Sequence, residues 1–502
     1  MKQLMISFLL TVIAIGTYAQ RQDLSRDFAI NGTLQSDYGN YPKGTPVVLR
    51  KVIKMSNQPN ESTNGIMMAL EVNGMQYPFP VDIAKKIQFT PENQQQFWQS
   101  VFLHKGMYQH YDNKGYRYEL RQELNEEASQ YLSELSGLFY EDAYIEDYVQ
   151  ALFAQTTPLR VIENRPEVLS IRLLKSPNPD AYMLPNGTIL ISTGLLSTLD
   201  SSEELMAIIA SEMAHYVLDH QVINTSKAEK RALRAEFWGS VLSAAAEGFD
   251  QALYERYEYY VPGTTYIAAD LIACLINTRT SNRLGMTYTR KQEKEADEIA
   301  QSFLTYKQID PGALASALTK IKAYYLAEND HYNLSRYGNY AELDERIAKL
   351  SAPQEIKNRP YLKVMSGVTT YNAILQQTNK RFESAIRLAN KNIANKVCSD
   401  DDFIVLAKAN MGLYSTPEAD EESMKLIKKA KEMSDTPNLN AYKQEILLLL
   451  RMNKQALAAN ALKEYMNLIA KYQQQIEGSD EANWAAAESS WANKLLQRIS
   501  IL

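Results

Sequence analysis

Residues 201–221, SSEELMAIIASEMAHYVLDHQ, constrain the fold most, because they are patterned for one amphipathic helix. Ser201 and Glu204 form the S-x-x-E pattern of a capping box, and an acidic first turn suits the positive end of the helix dipole. Apolar side chains recur every fourth position, at Ile209, Met213 and Val217. This spacing predicts a single helix with one buried stripe.

The middle of this helix departs by one residue from H-E-x-x-H, the helical zinc site of metalloproteases. Ser211, Glu212 and His215 stand at its three defining positions. Residues four apart share a helix face, so the two histidines of the full motif meet one metal ion, and the glutamate polarises the metal-bound water. Because Ser211 replaces the first histidine, the pattern indicates zinc chemistry but lacks one imidazole.

Length and charge narrow the classes of function. The chain has 502 residues, which predicts several domains. Its net charge is −6 and its pI is about 5.7, so nothing favours nucleic acid as a partner.

The apolar run 266–276 carries Asp270 and is too short to cross a bilayer. We therefore expect no transmembrane span in the mature chain; the run is either a buried helix or a cover over the site.

The N-terminus has the pattern of an export signal. Lys2 precedes an almost wholly apolar run at 4–15, and small residues surround the predicted cleavage site after Ala19. We expect an exported protein of the cell envelope, periplasmic or secreted. A single membrane anchor is the alternative, which the shortness of the run disfavours. Cys274 and Cys398 could pair in an exported chain, although they fall in different predicted domains.

The chain divides into four predicted segments. Residues 1–19 are the signal peptide, and 20–115 form a β-rich N-terminal domain in which Asn73-Gly74 is a hairpin signal. Residues 116–352 mix helices with strands at 169–174 and 188–192, joined by a turn at 185–187. We predict an α+β, mostly helical fold for the whole chain.

The last segment, 353–502, alternates helices with short polar turns. Its helix pairs start about 35 residues apart, close to the period of tetratricopeptide arrays. A stacked array offers a concave face for a protein partner, and a plain helical bundle is the alternative.

Three motifs occur in an order that resembles the HtpX and CAAX-prenyl-protease family of gluzincin zinc endopeptidases, peptidase family M48. They are DAYMLPNGTILISTGLL at 180–196, ELMAIIASEMAHYVLDH at 204–220 and RKQEKEAD at 290–297. The resemblance covers roughly residues 120–350 and is closest to soluble exported members with a tetratricopeptide tail. It implies a zincin-like metallopeptidase domain, one zinc ion as cofactor, and a protein or peptide as substrate.

The resemblance also implies a role for each matched residue of the metal site. Glu212 matches the general base, His215 the second histidine ligand, and Glu293 the third ligand. Asp297 matches the carboxylate that orients a ligand histidine. Ser211 stands at the first ligand position.

A second set of matches concerns the substrate. Asp180, Ala181 and the strand after Gly187 match an edge strand that pairs with an extended substrate through its backbone. Asp180 stands where the family usually has asparagine. Further on, Glu345-Arg346-Ile347 fits the ending of the family's domain.

The serine weakens the expected zinc site. A structural zinc site is worth roughly 10–16 kcal/mol over four ligands, so the loss of one costs roughly 3–4 kcal/mol, or about two to three orders of magnitude in affinity. His220 is five residues after His215, about 140° round a helix, and is expected to face elsewhere. Asp219 shares the face of His215 but lies on the side away from Ser211.

Two main hypotheses remain open from the sequence. The first is a zinc metalloendopeptidase-like protein whose degenerate site weakens or abolishes catalysis. The second is a non-catalytic pseudoprotease that binds misfolded or envelope proteins as a scaffold or chaperone. A third is that the helical tail is the functional part and the peptidase-like domain is only a spacer.

Overall fold

The computed structural model describes residues 20–25, 29–56, 66–107, 116–161, 165, 168–225, 288–328, 340–352, 357–475 and 479–501. The leader at 1–19 and the apolar run at 266–276, with Cys274, lie outside these ranges. Cys398 is a free, half-buried cysteine.

The N-terminal part is an antiparallel sheet in the order β5-β4-β3-β2-β6, with β1 added on β3. Burial alternates along β4, which places one face of the strand on the core. The strands are β1 Gln20–Ser25, β2 Ile30–Leu34, β3 Pro46–Ser56, β4 Ile66–Val72, β5 Met75–Pro80 and β6 Ile87–Thr90.

The predicted Asn-Gly hairpin is confirmed. Val72 pairs with Met75 across a two-residue turn. Asn73 and Gly74 have φ values of 53° and 78°, the left-handed conformations that such a turn requires at both positions.

Three helices follow: α1 Gln94–His104, α2 Tyr116–Glu134 and α3 Ala143–Thr156. Trp98 of α1 is fully buried, and its indole nitrogen donates to the Thr156 carbonyl at 2.7 Å. Its ring also stacks on Phe303, 5.5 Å between centroids. Helix α1 is thereby packed against α3 and Phe303, and the N-terminal sheet shares one apolar core with these elements.

A three-stranded sheet stands before the motif helix, in the order β7-β9-β8. The strands are β7 Ser170–Leu174, β8 Ala181–Met183 and β9 Thr188–Ser192. β7 runs parallel to β9, whereas β8 is antiparallel to it. The turn at 185–187 therefore joins β8 to β9, and our prediction that it joins the two strands now called β7 and β9 is wrong. Two parallel strands need a longer crossover, which here contains β8.

The predicted single helix over 201–221 is two helices. After the short helix α4, Thr193–Thr198, helix α5 spans Ser202–Val217 and α6 spans His220–Thr225. Ser201 caps α5 as expected, because its hydroxyl accepts from the Glu204 amide at 3.2 Å. The break lies at Asp219, whose φ of 61° is left-handed and ends a helix in the way a C-terminal glycine would.

Helices α7 Arg290–Tyr306 and α8 Ala313–Ala327 pack against α5, and α9 Tyr340–Lys349 packs against α8. Thr289 and Gln292 form a reciprocal capping box that fixes the start of α7.

The C-terminal part consists of helices that each pack against the next. Its first helices share one continuous core with the strands and helices before them. Asn372, for example, exchanges hydrogen bonds with Thr193 and Ser197 at 3.0 and 3.1 Å. The helices are α10 Arg359–Val364, α11 Ser366–Thr378, α12 Phe382–Ala394, α13 Asp400–Leu413, α14 Pro417–Met433, α15 Leu439–Arg451, α16 Gln455–Gln473 and α17 Ser479–Ile501.

The expected α+β, mostly helical architecture is confirmed, with β strands concentrated near the N-terminus and helices alone near the C-terminus. Within the ranges that the structure describes, no helix has the length and apolar character to cross a bilayer.

Candidate active site

Helix α5 places the degenerate motif inside the protein. Ser211 and His215 are both buried, one turn apart, as the four-residue spacing requires. Ser211 and Glu212 line a cavity of about 40 Å³ together with Glu293 of α7 and Arg346 of α9. Three side chains that the sequence predicts at the site, Ser211, Glu212 and Glu293, thus meet Arg346 at one small cavity. Apolar side chains form most of the remaining wall.

Arg346 is the cation of this site. Its Nη1 lies 3.0 Å from Glu293 Oε2. Its Nε and Nη2 donate to the two carboxylate oxygens of Asp297 at 3.0 and 2.8 Å. Such a two-pronged arginine–carboxylate contact is among the stronger hydrogen-bonded ion pairs. Burial raises the pKa of the Asp297 carboxyl, while the Arg346 guanidinium acts in the opposite direction.

His215 is enclosed on three sides. Its Nε2 lies 3.6 Å from Glu293 Oε2, and its Nδ1 lies 3.0 Å from the Nδ1 of His220. The Tyr288 ring stacks on the imidazole with 3.5 Å between centroids. His215 therefore has a polar neighbour at each ring nitrogen, and the Tyr288 ring covers one face of its imidazole.

Our expectation that His220 faces away from His215 is wrong. It assumed a continuous helix, whereas the left-handed Asp219 turns the chain so that α6 begins at His220 beside His215. Burial lowers the pKa of His220 to about 3, and His215 adds to this effect. His220 is therefore a neutral neighbour of His215 at ordinary pH.

Asp219 itself does not reach the site. It is buried and pairs with two buried arginines, Arg121 at 2.5 Å and Arg165 at 3.4 Å. Arg165 also donates to the Tyr216 carbonyl at 2.9 Å. These contacts hold the turn between α5 and α6 and so fix the position of His220.

The predicted substrate strand is only partly as expected. β9, the strand after Gly187, is the central strand of its sheet and is wholly buried, so the part of the prediction that makes it an edge strand is wrong. β8 is the edge strand, yet Asp180 and Ala181 are buried. The Tyr325 hydroxyl donates to Asp180 Oδ1 at 2.9 Å. The roles of Asp180 and Ala181 in substrate binding stay predictions.

The side chains present do not fit a zinc ion well. A catalytic zinc site of this type uses two histidines and a glutamate, with water as fourth ligand. Here the first position is Ser211, and the carboxylate of Glu293 is bound by Arg346. Throughout the described part of the chain, no group of three or more His, Cys, Asp or Glu side chains is placed to hold a metal ion. We therefore derive no catalytic step through zinc.

Comparison with known proteins shows that the region containing this site is similar to a peptidase family. Residues 143–354 match peptidase family M48. The match covers α3, the three-stranded sheet, the motif helix α5, and α7 to α9. Peptidases of family M48 depend on zinc, and in the matching region of this chain Ser211 stands where the resemblance places the first zinc ligand.

The curated relatives are all mitochondrial metalloendopeptidases named OMA1. Mitochondrial metalloendopeptidase OMA1 of Schizosaccharomyces pombe is 26% identical over 153 residues, which are 30% of this chain and 37% of that protein. OMA1 of Arabidopsis thaliana is 24% identical over 151 residues, 30% of this chain and 25% of that protein. OMA1 of Danio rerio is 29% identical over 96 residues, 16% of this chain and 20% of that protein. The chain thus spans well under half the length of the relatives it matches.

These relatives correct our prediction of localisation. They are named as mitochondrial proteins, so the expectation of an exported protein, periplasmic or secreted, is wrong. The leader pattern consists of one positive charge, an apolar run and small residues, and this pattern did not identify the destination.

Several residues of the site were missed in the sequence or left without a role. Arg346 is part of the family ending, and no local pattern indicates that it bonds two carboxylates on α7. Tyr288 lies outside the H-E-x-x-H pattern, so the motif does not predict its contact with His215. The only local signal for His220 was its presence five residues after His215, which a straight helix makes uninformative.

Proposed function

We propose that this chain is an M48 metallopeptidase-like protein that binds extended polypeptides and hydrolyses them weakly or not at all. Glu212, His215 and Glu293 keep the positions that the resemblance gives to the base and two ligands. Ser211 leaves the first ligand position without an imidazole. The proposal thus combines a retained cleft with a degenerate metal site.

The ion pair between Arg346 and Glu293 carries the proposal. A guanidinium 3.0 Å from Glu293 Oε2 supplies the positive charge that a metal ion would otherwise supply to that carboxylate. Zinc would have to displace this pair and also bind without the first histidine. Both requirements reduce its affinity, and they act on the same cavity.

A zinc endopeptidase with an atypical site is the second candidate. It is favoured by the position of Glu212, which lines the same small cavity as Ser211 and Glu293. In that case a water molecule would take the place of the missing histidine, and zinc would bind weakly. Cleavage would then depend on added zinc and on Glu212.

A functional tail with the peptidase-like domain as a spacer is less well supported. The first tail helices share a core with the M48 domain. The Tyr361 hydroxyl, for example, donates to the Leu196 carbonyl at 2.9 Å. The predicted division at 353, the tetratricopeptide-like character of the tail and a protein partner on its concave face remain proposals.

The deciding experiment measures zinc bound per chain in the purified protein and in Ser211→His, beside cleavage and binding of an unfolded protein. We expect the native chain to hold far less than one zinc and to bind without cutting, and Ser211→His to fill. One zinc per native chain with cleavage that Glu212→Gln abolishes would overturn the proposal. If Ser211→His also stays empty, the site has lost zinc for reasons beyond the serine.

A further inference from the structure

Strand β8 has one edge paired and one edge facing the motif helix. The Leu184 amide donates to the Thr188 carbonyl, and the Ser192 amide donates to the Asp180 carbonyl, at 2.9 and 3.0 Å. These bonds face β9. Backbone groups alternate in direction along a strand, so the amide and carbonyl of Met183 point to the opposite edge, away from β9.

Both of these outward groups of Met183 are bonded to side chains. The Met183 amide donates to Glu212 Oε2 at 3.0 Å. The Met183 carbonyl accepts from Gln221 Nε2 at 3.1 Å. Met183 is fully buried and Gln221 nearly so. An acceptor therefore sits opposite the amide and a donor opposite the carbonyl of the same residue.

This pair of bonds has the chemistry of a neighbouring strand. In an antiparallel pair, a residue that faces its partner gives its amide to one carbonyl and takes one amide on its own carbonyl. A polypeptide that adds to a sheet edge makes the same two bonds. At Met183, the Glu212 carboxylate stands in for the incoming carbonyl, and the Gln221 amide stands in for the incoming amide.

We infer that Gln221 is an internal competitor for the outward edge of β8 at Met183, the strand edge to which the resemblance assigns an extended substrate. The inference rests on the proposed function, because it assumes that the protein binds extended chains. A client has to displace the Gln221 amide before it can bond the Met183 carbonyl. Gln221 then tunes affinity without touching the position of a metal ion.

Gln221 also contacts Tyr288, whose ring covers one face of His215. Gln221 Nε2 lies 3.1 Å from the Tyr288 hydroxyl as well, so its two N–H groups serve Met183 and Tyr288. Tyr288 stacks on His215 and lines both the small inner cavity and an outer groove of about 470 Å³ between α7 and α9. Loss of the Gln221 amide therefore removes its hydrogen bond to the Met183 carbonyl on β8 and its hydrogen bond to the Tyr288 hydroxyl together.

The test compares Gln221→Ala with Gln377→Ala. Gln377 is a matched control, because it is also buried and also donates through Nε2 to a backbone carbonyl, that of Val405 at 2.8 Å, but it lies in the tail. Binding of fluorescein-labelled β-casein, an unfolded protein, is followed by fluorescence anisotropy in the full chain. We expect Gln221→Ala to bind about threefold to tenfold more tightly than the native chain, and Gln377→Ala to bind unchanged.

A second variant covers the case in which the alanine disturbs packing. Gln221→Met keeps the length of the side chain and removes the donor, so it should tighten binding to the same extent. Unchanged or weaker binding by the folded Gln221 variants, with native binding intact, overturns the inference and leaves the proposed function standing. If neither the native chain nor any variant binds casein, the proposed function and the inference fail together.

Discussion

Replacement of Arg346 by methionine tests the charge balance of the site directly. The change removes the guanidinium and keeps a long side chain. It leaves the carboxylates of Asp297 and Glu293 without the cation that bonds both of them at 2.8–3.0 Å. We expect the folded chain to lose stability, because two carboxylates then face each other in a largely buried space.

The size of the expected stability loss follows from how deeply the three charged side chains are buried. The side chains of Arg346, Asp297 and Glu293 are 13%, 7% and 17% exposed. Removal of one partner from a buried ion pair costs about 3–5 kcal/mol, because the remaining charge is left buried without compensation. Glu293 retains some access to solvent, so we expect a loss near the lower end, about 3 kcal/mol.

Urea unfolding followed by tryptophan fluorescence measures this loss, with Arg50→Met as the control. Arg50 pairs with Glu71 at 2.8 Å, but the two side chains are 37% and 27% exposed, and such surface pairs contribute roughly 0–1 kcal/mol. A second variant, Arg346→Met with Asp297→Asn, should recover part of the loss, because one of the stranded charges is gone. A loss at Arg346 no greater than at Arg50 would refute the assignment of Arg346 as the cation of the site.

Three further predictions concern the rest of the chain. Lys391→Met removes a largely buried amine that pairs with Asp200 at 2.8 Å and donates to the carbonyls of Ser197, Thr198 and Leu199 at the end of α4. Because Lys320 also pairs with Asp200 at 2.8 Å, we expect a loss of about 1–2 kcal/mol and faster proteolysis between α4 and the C-terminal helices. Burial raises the pKa of Asp402 to about 6, so the folded state binds this proton more tightly than the unfolded state does. The proton stabilises the fold at pH 4, and about 2 kcal/mol of that stability is lost as the pH rises to 7. Asp402→Asn should remove this pH dependence from urea unfolding curves. Gly194→Ala would place a methyl group 2.3 and 2.4 Å from two backbone carbonyl oxygens and should cost about 1–3 kcal/mol in the same assay, whereas Gly367→Ala, with open space around it, should not destabilise.

Local patterns predicted the features that depend on near neighbours in sequence. The Asn73-Gly74 turn follows from the backbone freedom of two residues, and the start of α5 follows from the hydroxyl of Ser201. The end of that helix could not be predicted in this way. Asp219 is held in its left-handed conformation by Arg121 and Arg165, which lie 98 and 54 residues earlier in the chain.

The same contrast explains what was found and missed at the site. The spacing of Ser211, Glu212 and His215 fixes their common helix by arithmetic alone. The contact of Arg346 with Glu293 joins two helices about fifty residues apart, and no periodicity links them. Sequence reasoning thus found the donors of the site and missed the cation that bonds them.

The two departures at this site, Ser211 and the Arg346–Glu293 pair, should both reduce the free energy of zinc binding. Zinc in Ser211→His needs the Glu293 carboxylate, and Arg346 holds the same oxygen at 3.0 Å. A charge-assisted hydrogen bond contributes about 1.5–3 kcal/mol. The double variant Ser211→His/Arg346→Met should therefore bind zinc at least about tenfold more tightly than Ser211→His alone.

Competition with a chromogenic chelator measures the two affinities, and Ser211→His/Arg50→Met is the control for loss of a remote arginine. Equal or weaker zinc binding by the Arg346 double variant would mean that the guanidinium does not compete for Glu293. In that case the serine alone accounts for the degenerate site. Tighter binding would mean that restoring the histidine repairs the ligand set only in part, because the chain carries its own cation where the metal ion would be bound.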